Sequence, residues 1–185
     1  MVQESKIEKP ESTGFYKQLL KKVLFTASVV IALSLSYTLW ADLDSDNQFL
    51  ALIIVGMALV KTVFIVRLTF IQLSKIIGES HQLTHVLTLF AVLIILIVLS
   101  FSADYQALYI LSSENFKSTT SLNRSFIPQF FEFIYFSLIT FSSVGFGDVV
   151  PLTISGKLLV MMEVFLSFLV LVFGIANINR IHVNK

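Results

Sequence analysis

The chain contains no cysteine, only three prolines and few charges for its length. The lack of cysteine excludes disulfides, thiolate nucleophiles and cysteine metal sites. The formal net charge is only +1, so no basic surface indicates nucleic-acid binding. Charged residues make up 14% of the chain, whereas hydrophobic residues make up 56%. A soluble domain of 185 residues could not bury so much apolar surface, so the composition indicates a membrane protein.

Long apolar runs predict an all-α membrane protein with four transmembrane helices, at about 19–40, 49–70, 83–111 and 155–179. At about 1.5 Å per residue, each run is long enough to cross about 30 Å of hydrocarbon. Lysines cluster up to the start of the first run, and the loop that follows it has three aspartates and no basic residue. The positive-inside rule therefore predicts a multi-pass protein of the cell membrane with both termini in the cytoplasm.

A polar segment with two glycines separates an aromatic run from the last apolar run. It reads Thr-Phe-Ser-Ser-Val-Gly-Phe-Gly-Asp over residues 140–148. Gly145 and Gly147 can adopt conformations closed to other residues, so successive carbonyls can face one side and bind a cation. The aromatic run that begins at Pro128 is too short to cross the membrane and return. It predicts a half-helix that enters from outside and forms, with the polar segment, a re-entrant pore loop whose negative helix end favours cations.

The polar segment resembles the selectivity filter of potassium channels, Thr-x-Thr-Thr-x-Gly-Tyr-Gly-Asp followed by a proline, here Pro151. Serines replace the paired threonines, and Phe146 replaces the tyrosine. The resemblance to the bacterial-type, two-transmembrane potassium channel pore module covers about residues 128–179. It implies a passive potassium-selective channel, a homotetramer because a closed ring needs four filters, no enzymatic activity, and no cofactor besides permeant potassium. The implied filter is Ser143, Val144, Gly145, Phe146, Gly147 and Asp148, and the first four of these residues would bind potassium.

The same resemblance implies residues that support the filter and line the cavity below it. A carboxyl inside a span is costly unless paired or hydrated, so Glu163 is expected to brace the filter through the half-helix. The residues alone also allow a structural hydrogen bond elsewhere or a role in the ion path. Phe146 lacks a hydroxyl, so its ring would be held by packing alone. The expected filter supports are Thr140, Ser142, Tyr135, Phe136 and Glu163, and the expected cavity lining is Phe168, Leu171, Ile175 and Asn179.

The last span has two faces that could line a pore. One is small and polar, from Glu163 through Ser167 to Gly174, and the other is apolar and carries Phe168 and Leu171. The resemblance places the apolar face on the pore axis. Ser167 stands where the family often has a hinge glycine, which makes Gly174 a substitute candidate.

The predicted organisation is a cytoplasmic segment at 1–18, two peripheral helices and a linker at 19–82, a pore domain at 83–180 and a tail at 181–185. The pore domain would comprise an outer helix, the pore helix, the filter and an inner helix. Lys61, in the second span, is expected to snorkel toward the cytoplasm. The expected partners are further copies of the chain and membrane lipid. A weakly selective cation channel and a non-conducting channel-modifying subunit remain alternatives, whereas a membrane enzyme lacks a catalytic constellation.

Overall fold

The computed structural model describes residues 28, 29, 32, 48–79, 83–119 and 125–178. The first predicted span therefore lies almost wholly outside the described residues. The described part contains four α-helices, a 3₁₀ turn at Ser113–Asn115 and two short strands. The helices are α1, Gln48–Glu79; α2, Leu83–Leu111; α3, Phe126–Phe141; and α4, Ile154–Ile178. The strands are β1, Phe116–Ser118, and β2, Val149–Pro151.

Three of these helices are long and apolar enough to cross a membrane. Their candidate spans are Phe49–Arg67, Phe90–Leu111 and Ile154–Gly174, which coincide with the second, third and fourth predicted spans. Helix α3 is apolar but has only 16 residues, too few to cross about 30 Å of hydrocarbon. Of the predicted all-α membrane fold, the coarser part is confirmed: the chain is mostly helical with three candidate membrane spans, and it also contains two short strands. The count of four spans and the re-entrant course of α3 stay predictions.

Helix α2 lies at the centre of the packing and contacts α1, α3 and α4. Helices α1 and α4 also contact each other, so α1 packs against two other helices. The outer faces of α1 and α4 expose large apolar side chains, as expected where lipid or further subunits cover a helix. Fully buried apolar side chains of the core include Leu93, Ile97, Phe101, Leu159 and Leu166.

The two strands join the connection after α2 to the connection before α4. They pair antiparallel, with Phe116 opposite Pro151 and Ser118 opposite Val149. Because β2 directly follows the glycine-containing segment, this short ladder fixes where that segment ends. The sequence analysis did not predict this pairing, since three-residue strands carry no detectable alternation.

Gly174 lets α4 approach α2 closely. A methyl group built on Gly174 would lie 2.9 Å from Cζ of Phe90 on α2, closer than two carbon atoms can pack. The missing side chain therefore has a packing function at this point. Gly56, on α1, has no atom within 4 Å of the corresponding position, so it offers an uncrowded comparison.

We expect Gly174→Ala to lower the stability of the protein in detergent. The Phe90 ring or one helix must move to admit the methyl group, and overpacking of this kind costs about 1–3 kcal/mol. Alanine also raises helix propensity by up to about 1 kcal/mol, and Gly56→Ala measures that gain without crowding. The thermal unfolding midpoint of Gly174→Ala should be lower than that of Gly56→Ala. Adding Phe90→Leu to Gly174→Ala should raise the midpoint part of the way back. Equal midpoints for the two alanine variants would disprove the packing function.

Candidate pore loop

The C-terminal end of α3 continues into the segment at 143–148, here called the filter segment, through backbone hydrogen bonds. The N–H groups of Val144 and Gly145 both donate to the carbonyl of Ile139, at 2.9 and 3.3 Å. The N–H of Ser143 donates to the carbonyl of Thr140 at 2.9 Å. These bonds satisfy carbonyls that the end of a helix would otherwise leave open. They also hold the start of the filter segment against α3.

Every second residue of the filter segment, beginning with Ser143, has a positive φ angle in the left-handed region. Ser143 has a φ of 57°, Gly145 of 56° and Gly147 of 77°. Glycine adopts such angles freely, whereas a residue with a side chain pays about 1–3 kcal/mol and needs surrounding structure to hold it there. Alternation of left-handed residues with others turns successive peptide groups so that their carbonyls can face one side. This is the backbone arrangement that a carbonyl-lined cation path requires.

Asp148 ends the filter segment and is held by two backbone N–H groups. Its carbonyl accepts a hydrogen bond from the N–H of Thr119 at 2.9 Å, from the connection after β1. Its side chain accepts a hydrogen bond from the N–H of Val149 at 3.0 Å. The side chain of Tyr135 on α3 lies near the Asp148 carboxylate. Tyr135 therefore lies beside the end of the filter segment.

Asn115 is a buried hydrogen-bonding centre between the two connections. Its side-chain N–H₂ donates to the carbonyls of Leu108 and Ser112, at 2.7 and 3.0 Å. Its side-chain oxygen accepts from the Thr153 hydroxyl at 2.6 Å, and its backbone carbonyl accepts from the N–H of Leu152 at 2.9 Å. One side chain thus ties the end of α2 to the start of α4. The sequence analysis missed Asn115, because a lone asparagine in a polar connection carries no signal.

Glu163 is fully buried and joins α4 to two other helices. The Ser137 hydroxyl on α3 donates to its Oε1, and the Tyr105 hydroxyl on α2 donates to its Oε2 at 2.6 Å. The Ser137 hydroxyl also lies 3.1 Å from the carbonyl of Val98. The carboxyl group therefore lies on the side of α3 that faces α2 and α4. Tyr105 is a donor that the sequence analysis did not find, although a polar ring within an apolar span marks it as a candidate.

Tyr105 is fully buried in a cluster of aromatic rings. Its ring packs edge-on against Phe136 at 4.9 Å between centroids and against Phe116 at 5.7 Å. Phe136 therefore lies in this interior cluster. The Phe146 ring, which was expected to be held by packing alone, is 71% exposed in the single chain.

The two faces of α4 lie in different surroundings. Glu163, Ser167 and Val170 are fully buried against the rest of the chain, whereas Phe168 and Leu171 are exposed. The polar face thus packs inward and the apolar face is left on the surface of the single chain. Of the remaining predicted lining residues, the side chain of Ile175 and the whole of Asn179 lie outside what the structure describes.

Lys61 on α1 does not reach the cytoplasmic side as expected. Its side chain is 2% exposed and forms an ion pair with Asp104 on α2, which is 1% exposed. The expectation that Lys61 snorkels is therefore wrong. A buried acid partner within reach is favourable for an ammonium group that would otherwise enter hydrocarbon. The sequence did carry a signal for this pair, because two residues of opposite charge lie within two of the predicted spans.

A comparison with protein families decides the class of this site. The model of a family described as "Ion channel" matches residues 92–184, half of the chain, including most of α2 and all of α3, the filter segment and α4. The chain belongs to this ion channel family. The predicted membership in the two-transmembrane potassium channel pore-module family is thus confirmed. Neither the curated proteins nor the solved structures yield a match.

We expect Glu163→Val to be less stable than Glu163→Gln. Valine leaves the Tyr105 hydroxyl without its acceptor, which costs about 1–3 kcal/mol for a buried group, while Ser137 keeps the Val98 carbonyl. Glutamine keeps the shape and one carbonyl oxygen, and the hydroxyls can rotate to accept from its N–H₂. Thermal unfolding in detergent checks the order. A valine variant as stable as the wild type would contradict the assignment of Glu163 as the link between α2, α3 and α4.

A second prediction concerns Asn115. Asn115→Leu removes three side-chain hydrogen bonds of about 1 kcal/mol net each and should lower the unfolding midpoint clearly. Asn115→Asp keeps the acceptor for Thr153 but places a carboxylate oxygen against the Leu108 and Ser112 carbonyls, so its unfolding midpoint should also lie below that of the wild type. Amide hydrogen exchange at Leu152 and at Thr119, whose N–H bonds to the Asp148 carbonyl, should accelerate in the leucine variant. Unchanged exchange there would show that Asn115 does not hold this side of the filter segment.

Proposed function

We propose that this ion channel conducts potassium passively through a central pore formed by four copies of the chain. The observation that carries the proposal is the alternation of left-handed backbone at Ser143, Gly145 and Gly147. Rings of backbone carbonyls replace the hydration shell of a potassium ion without a fixed charge strong enough to trap it. In this proposal Ser143, Val144, Gly145 and Phe146 supply the carbonyls, and the Ser143 hydroxyl adds the innermost ring.

The tetramer follows from the number of filter segments and from the surface they leave bare. One chain has one such segment, and four are needed to surround an ion. In the single chain the side chains of Val144 and Phe146 are 54% and 71% exposed, which is costly for apolar groups unless other copies cover them. Phe168 and Leu171 are exposed on the same chain. We infer that these surfaces face the pore axis and the neighbouring copies, with Ile175 and Asn179 continuing the lining.

Two electrostatic features favour a cation over an anion. Helix α3 has 16 residues, and its C-terminal end, the negative end of its dipole, leads directly into the filter segment. Asp148 adds a carboxylate at the other end of that segment. Both ends of the path thus carry negative potential, which raises the local concentration of cations.

Phe146 favours one second candidate, a cation channel of weaker selectivity. Its ring has no hydroxyl to hold it and is exposed in the single chain, so the outer carbonyls have less support than the Asp148 end. Hydrogen bonds from the N–H groups of Thr119 and Val149 to Asp148 offset this by fixing the last residue of the segment. We therefore propose a potassium-selective channel. A measurement of weak selectivity among cations would favour the second candidate instead.

The filter assignment is tested by comparing two glycine variants in liposomes loaded with potassium. Gly145→Ala should abolish potassium flux, because φ is positive there and an alanine opposes that angle although no atom crowds its methyl group. Gly56→Ala adds the same methyl group in open space on α1 and should conduct like the wild type. Size-exclusion chromatography should show the same assembly for both variants. Potassium flux through assembled Gly145→Ala protein would remove the filter assignment.

A further inference from the structure

An ion pair between Lys61 and Asp104 lies inside the apolar part of the protein. Lys61 belongs to the candidate span Phe49–Arg67 and Asp104 to the candidate span Phe90–Leu111. Oδ1 of Asp104 accepts a hydrogen bond from the Lys61 ammonium group, and its other oxygen, Oδ2, is buried without a hydrogen-bond partner among the described residues. Without Lys61, Asp104 would be a buried carboxyl group with no opposite charge beside it in the part of the chain that the structure describes.

This pair fixes the position of α1 relative to α2. Apolar packing alone holds helices together weakly in a membrane, because lipid tails offer a similar apolar surface. Separation of α1 from α2 would leave an ammonium and a carboxylate unpaired in hydrocarbon, and removal of one partner of a buried pair is strongly destabilising. The pair therefore selects one docked position for α1.

The docked position is connected to the filter segment by consecutive contacts. Asp104 directly precedes Tyr105 on α2, and the Tyr105 hydroxyl holds Glu163. Glu163 also accepts from Ser137 on α3, the helix whose carbonyls anchor the filter segment. A shift of α2 at Asp104 would therefore displace the Tyr105 hydroxyl from the Glu163 carboxyl group, which is also bonded to α3.

We propose that Lys61 is a positioning residue for conduction. Through its ion pair with Asp104 it holds α2 where Tyr105 reaches Glu163, so the docking of α1 sets how firmly α3 holds the filter segment. The inference rests on the proposed function, since it assigns to α1 a control over the open filter. A pair that served stability alone would affect how much protein folds but not how the folded protein conducts.

The test is a double-mutant cycle read in planar bilayers. Lys61→Met and Tyr105→Phe should each lower the open probability of single channels several-fold. Because the two side chains act through the same contacts, the combined variant should be no worse than the more severe single variant. Effects that multiply would show that Lys61 acts independently of Tyr105. Lys157→Met removes an exposed lysine on α4 and should leave the open probability unchanged.

A second variant keeps the test decisive if Lys61→Met does not fold. Lys61→Met combined with Asp104→Leu removes both charges, a change that is often neutral or stabilising for buried pairs. This charge-free variant should assemble like the wild type and still show the reduced open probability. Adding Tyr105→Phe to it should not lower the open probability further. Wild-type open probability in this charge-free variant would overturn the proposal, because the pair would then contribute only to folding.

A readout without ion flow separates this inference from the proposed function. The amide protons of Ser143, Val144 and Gly145 bond to carbonyls of α3, so their hydrogen exchange reports how firmly α3 holds the filter segment. Exchange at these amides should accelerate several-fold in the charge-free variant and stay at the wild-type rate in Lys157→Met. Failure of the wild type to conduct would disprove the proposed function and leave this measurement valid. Unchanged exchange would disprove the positioning role even in a conducting protein.

Discussion

The carboxyl group of Glu163 needs hydrogen-bond donors, because it is fully buried within a candidate membrane span. Helix α4 can therefore pack against the rest of the chain only in a position that supplies those donors. The donors come from two other helices, Tyr105 on α2 and Ser137 on α3. This requirement sets the rotation of α4, places its polar face inward and leaves its apolar face on the surface. It also brings α3 to the position from which its last carbonyls hold the filter segment.

Strain and support are combined in the filter segment. Ser143 has a left-handed backbone that its side chain disfavours, and the hydrogen bond to Thr140 helps to keep it there. The far end is held separately, by hydrogen bonds from the N–H groups of Thr119 and Val149 to Asp148. Both ends are thus fixed to surrounding protein while the residues between them remain uncovered in the single chain. In the proposed tetramer, such a segment is preorganised for an ion and is completed by the other copies.

The apolar runs and the glycine pattern predicted much of this fold because each of these signals is local. Run length predicted the three observed candidate spans, and the spacing of Gly145 and Gly147 predicted a backbone with unusual angles. The supports were harder to predict, since they depend on contacts between distant residues. Tyr105 and Glu163 are 58 positions apart, and Lys61 and Asp104 are 43 apart. Lys61 was misplaced because snorkelling considers one side chain alone, whereas a partner on another helix decides the outcome.

The reversal potential of purified protein in planar bilayers tests the central claim most directly. With potassium on one side and sodium on the other, a pore lined by rings of filter carbonyls should pass current that reverses far from zero, with the potassium side strongly negative, as expected for strong preference for potassium. A reversal near zero would mean that the two ions pass almost equally and would contradict potassium selectivity. Absence of current from correctly assembled protein would contradict the proposal of a conducting pore.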